Sequence, residues 1–258
     1  MMKLDILTIF PELFLPFLAH GMINRAVEKG LMEVQVHDLR DYTTDRHRSV
    51  DDVPYGGGAG MVMKIKPIHS AMKAICPKKG NQKRILLCPQ GKVLNDGLAR
   101  VLARENSMML ICGRYEGVDE RVREHLVDEE ISIGDYVLTG GEIPAMVLME
   151  TVVRFIPGVL GSHDSLAEES FSQKWLEYPQ YTRPAEYQGW QVPDVLLSGH
   201  HENIRQWRQR EALFKTAKQR PDLIDWTRLS QQDCEWLTRK GVHIPESIIK
   251  NEVGGSCD

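Results

Sequence analysis

The chain has 258 residues, 42% hydrophobic and 26% charged, which are ordinary globular values with room for two modest domains. A formal net charge of -4 excludes the global signature of a nucleic-acid binder, so any RNA contact has to come from local patches. The scattered cysteines (Cys76, Cys88, Cys112, Cys234, Cys257) lack Cys-x-x-Cys spacing, which argues against a zinc ribbon and fits a reducing, cytoplasmic setting.

Leu4 to Phe10 reads as a strand. Asp5 interrupts its apolar run, so no signal-peptide core is expected, and no apolar stretch approaches the length of a membrane span. A helix follows from Pro11 with Leu13, Phe17, Leu18 and Ile23. Leu31 to Leu39 alternates as a second strand. Arg40 to Asp52 is polar, and Pro54 to Gly60 is a long glycine-rich loop. Ile65 to Ile75 resumes a helix. Strands are expected near 84–88 and 108–112, with Leu94, Leu98, Val101 and Leu102 at helical spacing between them. Alternating β and α elements predict an α/β domain with a mostly parallel sheet.

Three apolar runs end in glycine turns: Pro89-Gln90-Gly91, Gly113 to Gly117 around Arg114, Tyr115 and Glu116, and Ile131 to Pro144 with Gly134 and the pair Gly140-Gly141. Any one alone is an ordinary tight turn. Ligands of open α/β sheets bind beyond the carboxyl ends of the strands, so the three together predict one pocket walled by backbone. There is no Walker loop, no Gly-x-Gly-x-x-Gly after the first strand and no Gly-x-Ser-x-Gly. The common phosphate-binding, Rossmann and nucleophile-elbow chemistries are therefore not supported.

A polar, poorly periodic stretch over 161–175 reads as a linker between a domain at 1–160 and a helical domain at 176–258. Ser198 is expected to cap a helix through Ile204, Trp207, Leu213 and Ala217 that Pro221 ends. Ser230 is expected to cap another that Gly241 terminates. Arg205, Arg208, Arg210, Lys215, Lys218 and Arg220 run along the first of these helices. They read as a solvated face, with Trp207 and Phe214 adding a modest RNA signal. His200-His201-Glu202 lacks the one-turn spacing of a zinc motif, and no metal site is expected.

Several long motifs, in this order, resemble the bacterial tRNA (guanine-N1)-methyltransferase family. They are Phe10-Pro-Glu-Leu-Phe14, Asp51 to Met61, Pro89-Gln-Gly91, Cys112 to Arg121, Ser132 to Glu142, Arg154 to Gly161, Tyr181-Thr-Arg-Pro184 and Leu197 to Glu202. The resemblance covers nearly the whole chain. It implies a knotted α/β (SPOUT-type) methyltransferase fold with a deep trefoil knot and a small all-α C-terminal domain. It also implies a homodimer with active sites across the interface, and methylation of N1 of guanosine 37 in tRNA with S-adenosylmethionine as donor.

By the same resemblance, the donor lies against Leu87, Pro89, Gly91, Gly113, Tyr115, Glu116, Gly117, Ile133, Gly134, Asp135, Tyr136, Val137, Leu138, Gly140 and Gly141. Pro144 stands nearby, and Glu177 faces the donor's amino group. Arg154 is the arginine that stabilises charge on the base. The family's general base is an aspartate before a Ser-Phe pair; here Glu169 precedes Ser170-Phe171, and Glu169, rather than Glu168, is the expected base. Cys88 stands where a serine is common, with little effect on the donor expected. The loop Arg46 to Gly60 is expected to hold the target nucleotide, with Arg46 or Arg48 as donors. The family also brings in Mg2+, for which no protein site is readable. Two other readings remain open: an RNA-binding dimer that has lost turnover, and a related knotted methyltransferase acting on another RNA or base atom.

Overall fold

The computed structural model describes residues 1–77, 82–160, 169–171 and 175–245. The chain divides into two compact units, Met1–Gly161 and Ser162–Asp258.

In the first unit, strands β1 (Met2–Thr8) and β2 (Met32–Asp38) are joined by helices α1 (Phe14–Leu18) and α2 (Gly21–Glu28). The single helix expected from Pro11 is instead a 3-10 turn at Pro11–Leu13 and two short helices, with Gly21 at φ 71° opening the second. Short strands β3 (Asp51–Asp52) and β4 (Val62–Met63) bracket the glycine-rich loop. They are followed by α3 (Ile65–Ile75), β5 (Lys83–Val93), α4 (Asp96–Leu102), β6 (Ser107–Cys112), α5 (Glu120–His125), β7 (Glu129–Ser132) and α6 (Glu142–Val153).

Five strands form one sheet in the order β2-β1-β6-β5-β7, and every pairing in it is parallel. A parallel sheet needs both faces covered, and the apolar runs supply both. On one side Leu4, Ile6, Ile85, Leu110 and Ile131 pack with residues of α2, α4 and α6. On the other, Leu7, Leu86, Met109 and Ile111 pack with Ile68, Ala71 and Met72 of α3 and Val122 of α5. Asn95 caps α4 by accepting from the Leu98 amide, which starts that helix immediately after the strand.

One strand departs from its expected span. β5 does not stop at Pro89-Gln90-Gly91 but continues to Val93, and its register to β7 shifts between Leu87 and Lys92, both of which pair with Ile131. The Pro-Gln-Gly turn is therefore a bulge within a strand, and it pushes the chain out of the sheet plane.

The second unit contains a β-hairpin, β8 (Glu186–Tyr187) with β9 (Trp190–Gln191), then α7 (Asp194–Leu197), α8 (His201–Gln219) and α9 (Gln231–Arg239). The hairpin corrects the expectation of a purely helical domain: Gln188 and Gly189, both at positive φ, form its two-residue turn. Ser230 caps α9 as expected, accepting from the Asp233 amide. Ser198 does not cap α8. It closes α7 as that helix's C-terminal residue, and His200 stands at the start of α8. Leu213, Ala217, Ile224 and Leu237 form the core, joined by Trp175, Phe214 and Trp236, so Trp175 at the end of the expected linker packs with this unit.

Candidate functional site

The bulge in β5 and the carboxyl ends of β6 and β7 carry the three glycine turns, and these line a cavity of about 330 Å³. Of the donor-site residues expected in the first unit, all but Gly91 and Asp135 line it. Leu87, Ile133, Val137, Leu138 and Pro144 give an apolar interior, while the backbone of Gly113, Gly117, Gly140 and Gly141 supplies polar wall. Gly141 is required because a Cβ there would sit 2.7 Å from the Cα of Cys112 and 2.9 Å from the Gly113 nitrogen. The Gly141 amide donates to the Gly113 carbonyl at 2.8 Å, so two of the turns are bonded to one another. Gly91 works one layer behind the wall, where any Cβ would collide with the backbone of Glu130 and Ile131. An apolar slot with a few backbone polar groups suits a small, largely apolar ligand.

Sequence reading named the turns but not what braces them. Glu142, the first residue of α6, is 1% exposed. Its Oε1 accepts from Thr8 Oγ1 at 2.8 Å and its Oε2 from Arg114 Nε at 2.9 Å. The Arg114 guanidinium lies 4.5 Å from the centre of the Phe10 ring, a cation–π geometry. The end of β1, the turn after β6 and the start of α6 are thereby joined through one buried carboxylate. The signal available in the sequence was the pair of motifs Gly113-Arg114 and Gly141-Glu142, whose charges are opposite.

Cys88 also lines the cavity, where its Sγ donates to Glu130 Oε2 at 3.0 Å and receives Arg123 Nη1 at 3.4 Å. Burial, and then the Glu130 carboxylate, raise its pKa, so it stays a thiol. Cys112, fully buried behind the wall, is pushed well above the ordinary thiol value by burial and then by Glu142.

The glycine-rich loop is tied to this site. Met63 donates to the Gly117 carbonyl at 2.9 Å and Glu116 to the Met61 carbonyl at 3.0 Å, while Tyr55 at the tip is fully exposed. Arg48 pairs with Asp41 and lies 3.9 Å from Asp38, and both Arg46 and Arg48 are exposed.

Arg154 follows the last turn of α6 and is half-buried. Glu169 belongs to the second unit, where with Glu177 it lines a groove of about 910 Å³ alongside Tyr178, His201, Arg205 and Arg208. The Glu177 amide donates to Ser170 Oγ at 3.0 Å, which ties the two glutamate-bearing segments together. Glu168 lies outside the described residues. On α8, Arg205 is paired with Glu202 at 2.8 Å, while Arg208 lies over the Tyr178 ring at 4.7 Å and Lys218 over Phe214 at 5.3 Å. Stacked cations keep their charge for a polyanion while being held in place. No group of three or more metal-ligating side chains occurs among the described residues, and none of their helices is long and apolar enough to cross a membrane.

Residues 2–226 match the family described as tRNA (Guanine-1)-methyltransferase TrmD. This chain belongs to that family. Proteins called tRNA (guanine-N(1)-)-methyltransferase are similar along almost their full length. That of Dictyoglomus turgidum is 56% identical over 248 residues, 96% of this chain and 100% of that protein. That of Geotalea uraniireducens is 54% identical over 92% of this chain and 96% of its own. That of Bacillus cereus (strain AH820) is 51% identical over 92% of this chain and 97% of its own.

Proposed function

We propose that this member of the tRNA (guanine-N1)-methyltransferase family transfers a methyl group from S-adenosylmethionine to N1 of guanosine 37 in tRNA. The carrying observation is the cavity at the bulge of β5 and the ends of β6 and β7, walled by three glycine turns, two of them bonded to one another. The apolar walls accept the adenine, and the fixed backbone groups orient the rest of the molecule without side-chain reorganisation. When bound, S-adenosylmethionine supplies an electrophilic methyl on sulfur.

The remaining chemistry falls to the chain. Guanine N1 carries a proton and becomes a good nucleophile only when that proton leaves. Glu169 is our general base, taking the N1 proton on a carboxylate oxygen. Negative charge then moves onto O6 of the base, where the Arg154 guanidinium stabilises it. Glu177 faces the donor's amino group. The loop Arg46 to Gly60 holds the target nucleotide, and a base in an anticodon loop leaves its stack at lower cost than a paired one. The arginines of α8 supply backbone-phosphate contacts, so affinity should fall steeply with salt.

The working unit in this reading is a homodimer of knotted subunits. The knot comes from the family resemblance alone. Helix α6 supports the dimer: it is apolar on nearly all sides, yet Ile143 and Val147, one turn apart, are 54% and 38% exposed. A helix apolar all round is normally covered, and a second copy would cover this one. Methyl transfer from labelled donor to two tRNA transcripts, one with G and one with A at position 37, tests the function. Transfer to the G transcript alone is expected. Transfer to neither would sink the enzyme reading, and equal transfer to both would sink the site assignment. Sedimentation tests the dimer, and a monomer at micromolar concentration would overturn it.

A further inference from the structure

Arg114 lines the 330 Å³ cavity, and four-fifths of its side chain is covered. Only one of its guanidinium nitrogens is engaged: Nε donates to the buried Glu142 carboxylate at 2.9 Å, while the flat face rests on Phe10 at 4.5 Å. Among the described residues Nη1 and Nη2 have no hydrogen-bond partner. Gly140 leaves room for this path, since a Cβ there would collide with the Arg114 Nε and Cδ. A guanidinium held at one edge and one face, with its two terminal NH2 groups open beside a cavity, is a preorganised fork for an oxyanion. A carboxylate sits behind it and compensates its charge, and a fork anchored in this way has less rotamer freedom to lose on binding.

We propose that Arg114 is a substrate-binding residue that grips an anionic oxygen group through Nη1 and Nη2, with Glu142 and Phe10 as its positioning residues. The proposal rests on the methyl-transfer reading and deepens it. That reading supplies two groups of this chemistry: the carboxylate of the donor's amino-acid tail, and a phosphate flanking the target nucleotide.

Three equilibrium measurements on Arg114→Gln in the full chain separate the sources without depending on turnover. They are the affinities for S-adenosylhomocysteine, for 5′-methylthioadenosine, which lacks the carboxylate, and for tRNA across a salt series. If the donor's carboxylate is the partner, S-adenosylhomocysteine weakens at least tenfold while 5′-methylthioadenosine is unchanged. If a phosphate is the partner, both nucleosides bind as before, tRNA weakens at least tenfold, and the log–log salt slope falls by about one. Unchanged affinities and slope in the folded variant would overturn the proposal. Should Arg114→Gln fold poorly, Arg114→Lys keeps the charge facing Glu142 but loses the fork. A loss of at least threefold in one ligand is then expected, and no loss in any overturns the claim. A wild-type chain that binds these ligands but methylates nothing would sink the functional reading alone.

Discussion

Thr8 Oγ1 donates a 2.8 Å hydrogen bond to Glu142 Oε1 across 134 residues of sequence, joining the end of the inner strand β1 to the first turn of α6. The carboxylate is otherwise held by Arg114 at 2.9 Å and by the favourable dipole of the helix start. Thr8→Val removes a donor from a buried charge and should cost about 1.5–3 kcal/mol, the range for hydrogen bonds to charged groups. Glu142→Ala leaves Arg114 without its ion partner; because Arg114 is 21% exposed, a cost of about 3 kcal/mol, at the low end for a broken buried pair, is expected. Urea unfolding of the two variants measures both. A Glu142→Ala chain as stable as wild type would show that the carboxylate is not the brace described here.

Gly91 tests the wall from behind. Its substitution by alanine forces a methyl into the backbone of β7 at Glu130 and Ile131, where no flexible side chain can give way. The bulge in β5 must then shift, at a cost of at least about 1–3 kcal/mol for overpacking. Leu87 and Pro89 would be displaced with it. Calorimetric titration of Gly91→Ala should show S-adenosylhomocysteine affinity lowered tenfold or more. Wild-type affinity would separate the bulge from the binding site.

Much of this arrangement was legible in the chain. The runs at 85–88 and 108–112 are apolar at every position because both faces of their strands are covered, and that pattern announces a parallel sheet before any coordinate is known. The glycine turns could be read for the same reason, as breaks at strand ends. Glu142 could not. An acidic residue after Gly-Gly reads as an exposed first-turn glutamate, and its burial depends on Thr8 and Arg114, which lie far off in sequence. The continuation of β5 past Pro89 was likewise hidden, because proline ordinarily ends a strand and only the pairing with β7 carries it through a bulge. Ser198 was misplaced because two helices meet there; a serine three residues before a helix also ends the short one ahead of it.

Cys112 makes the stability of the first unit depend on alkaline pH. Burial, then Glu142, hold its pKa well above the ordinary 9.0, so the folded chain keeps the proton where the unfolded chain releases it. A raised folded pKa contributes stability that is complete below the unfolded value and is lost as pH climbs from there through the folded value. The window therefore opens near pH 9 and extends upward. Between pH 8 and pH 10.5 the melting temperature of wild type should fall further than that of Cys112→Ala, which has no thiol to ionise. Parallel falls in the two proteins would remove Cys112 from the account.

On the proposed mechanism Glu169 carries the sharpest chemical prediction, because glutamate adds a methylene to the aspartate that the family resemblance implies there. If Glu169 is the base, its carboxylate has to end at the same distance from guanine N1, so the longer side chain must fold back or the segment around Ser170 must sit further away. Glu169→Gln keeps size and hydrogen-bonding shape but cannot take a proton, and should lower single-turnover methylation about 10²–10⁴-fold, the usual contribution of a general base. Donor-product affinity should stay within about twofold, since deprotonation of N1 has no part in binding it. Glu169→Asp decides how the extra methylene is accommodated. If the segment is set back, the shorter acid falls short and the rate drops about tenfold or more, as for a catalytic group misplaced by about an ångström. If the glutamate folds back, the aspartate restores the usual reach and the rate is retained. A Glu169→Gln enzyme that methylates at the wild-type rate would take the base away from this residue altogether.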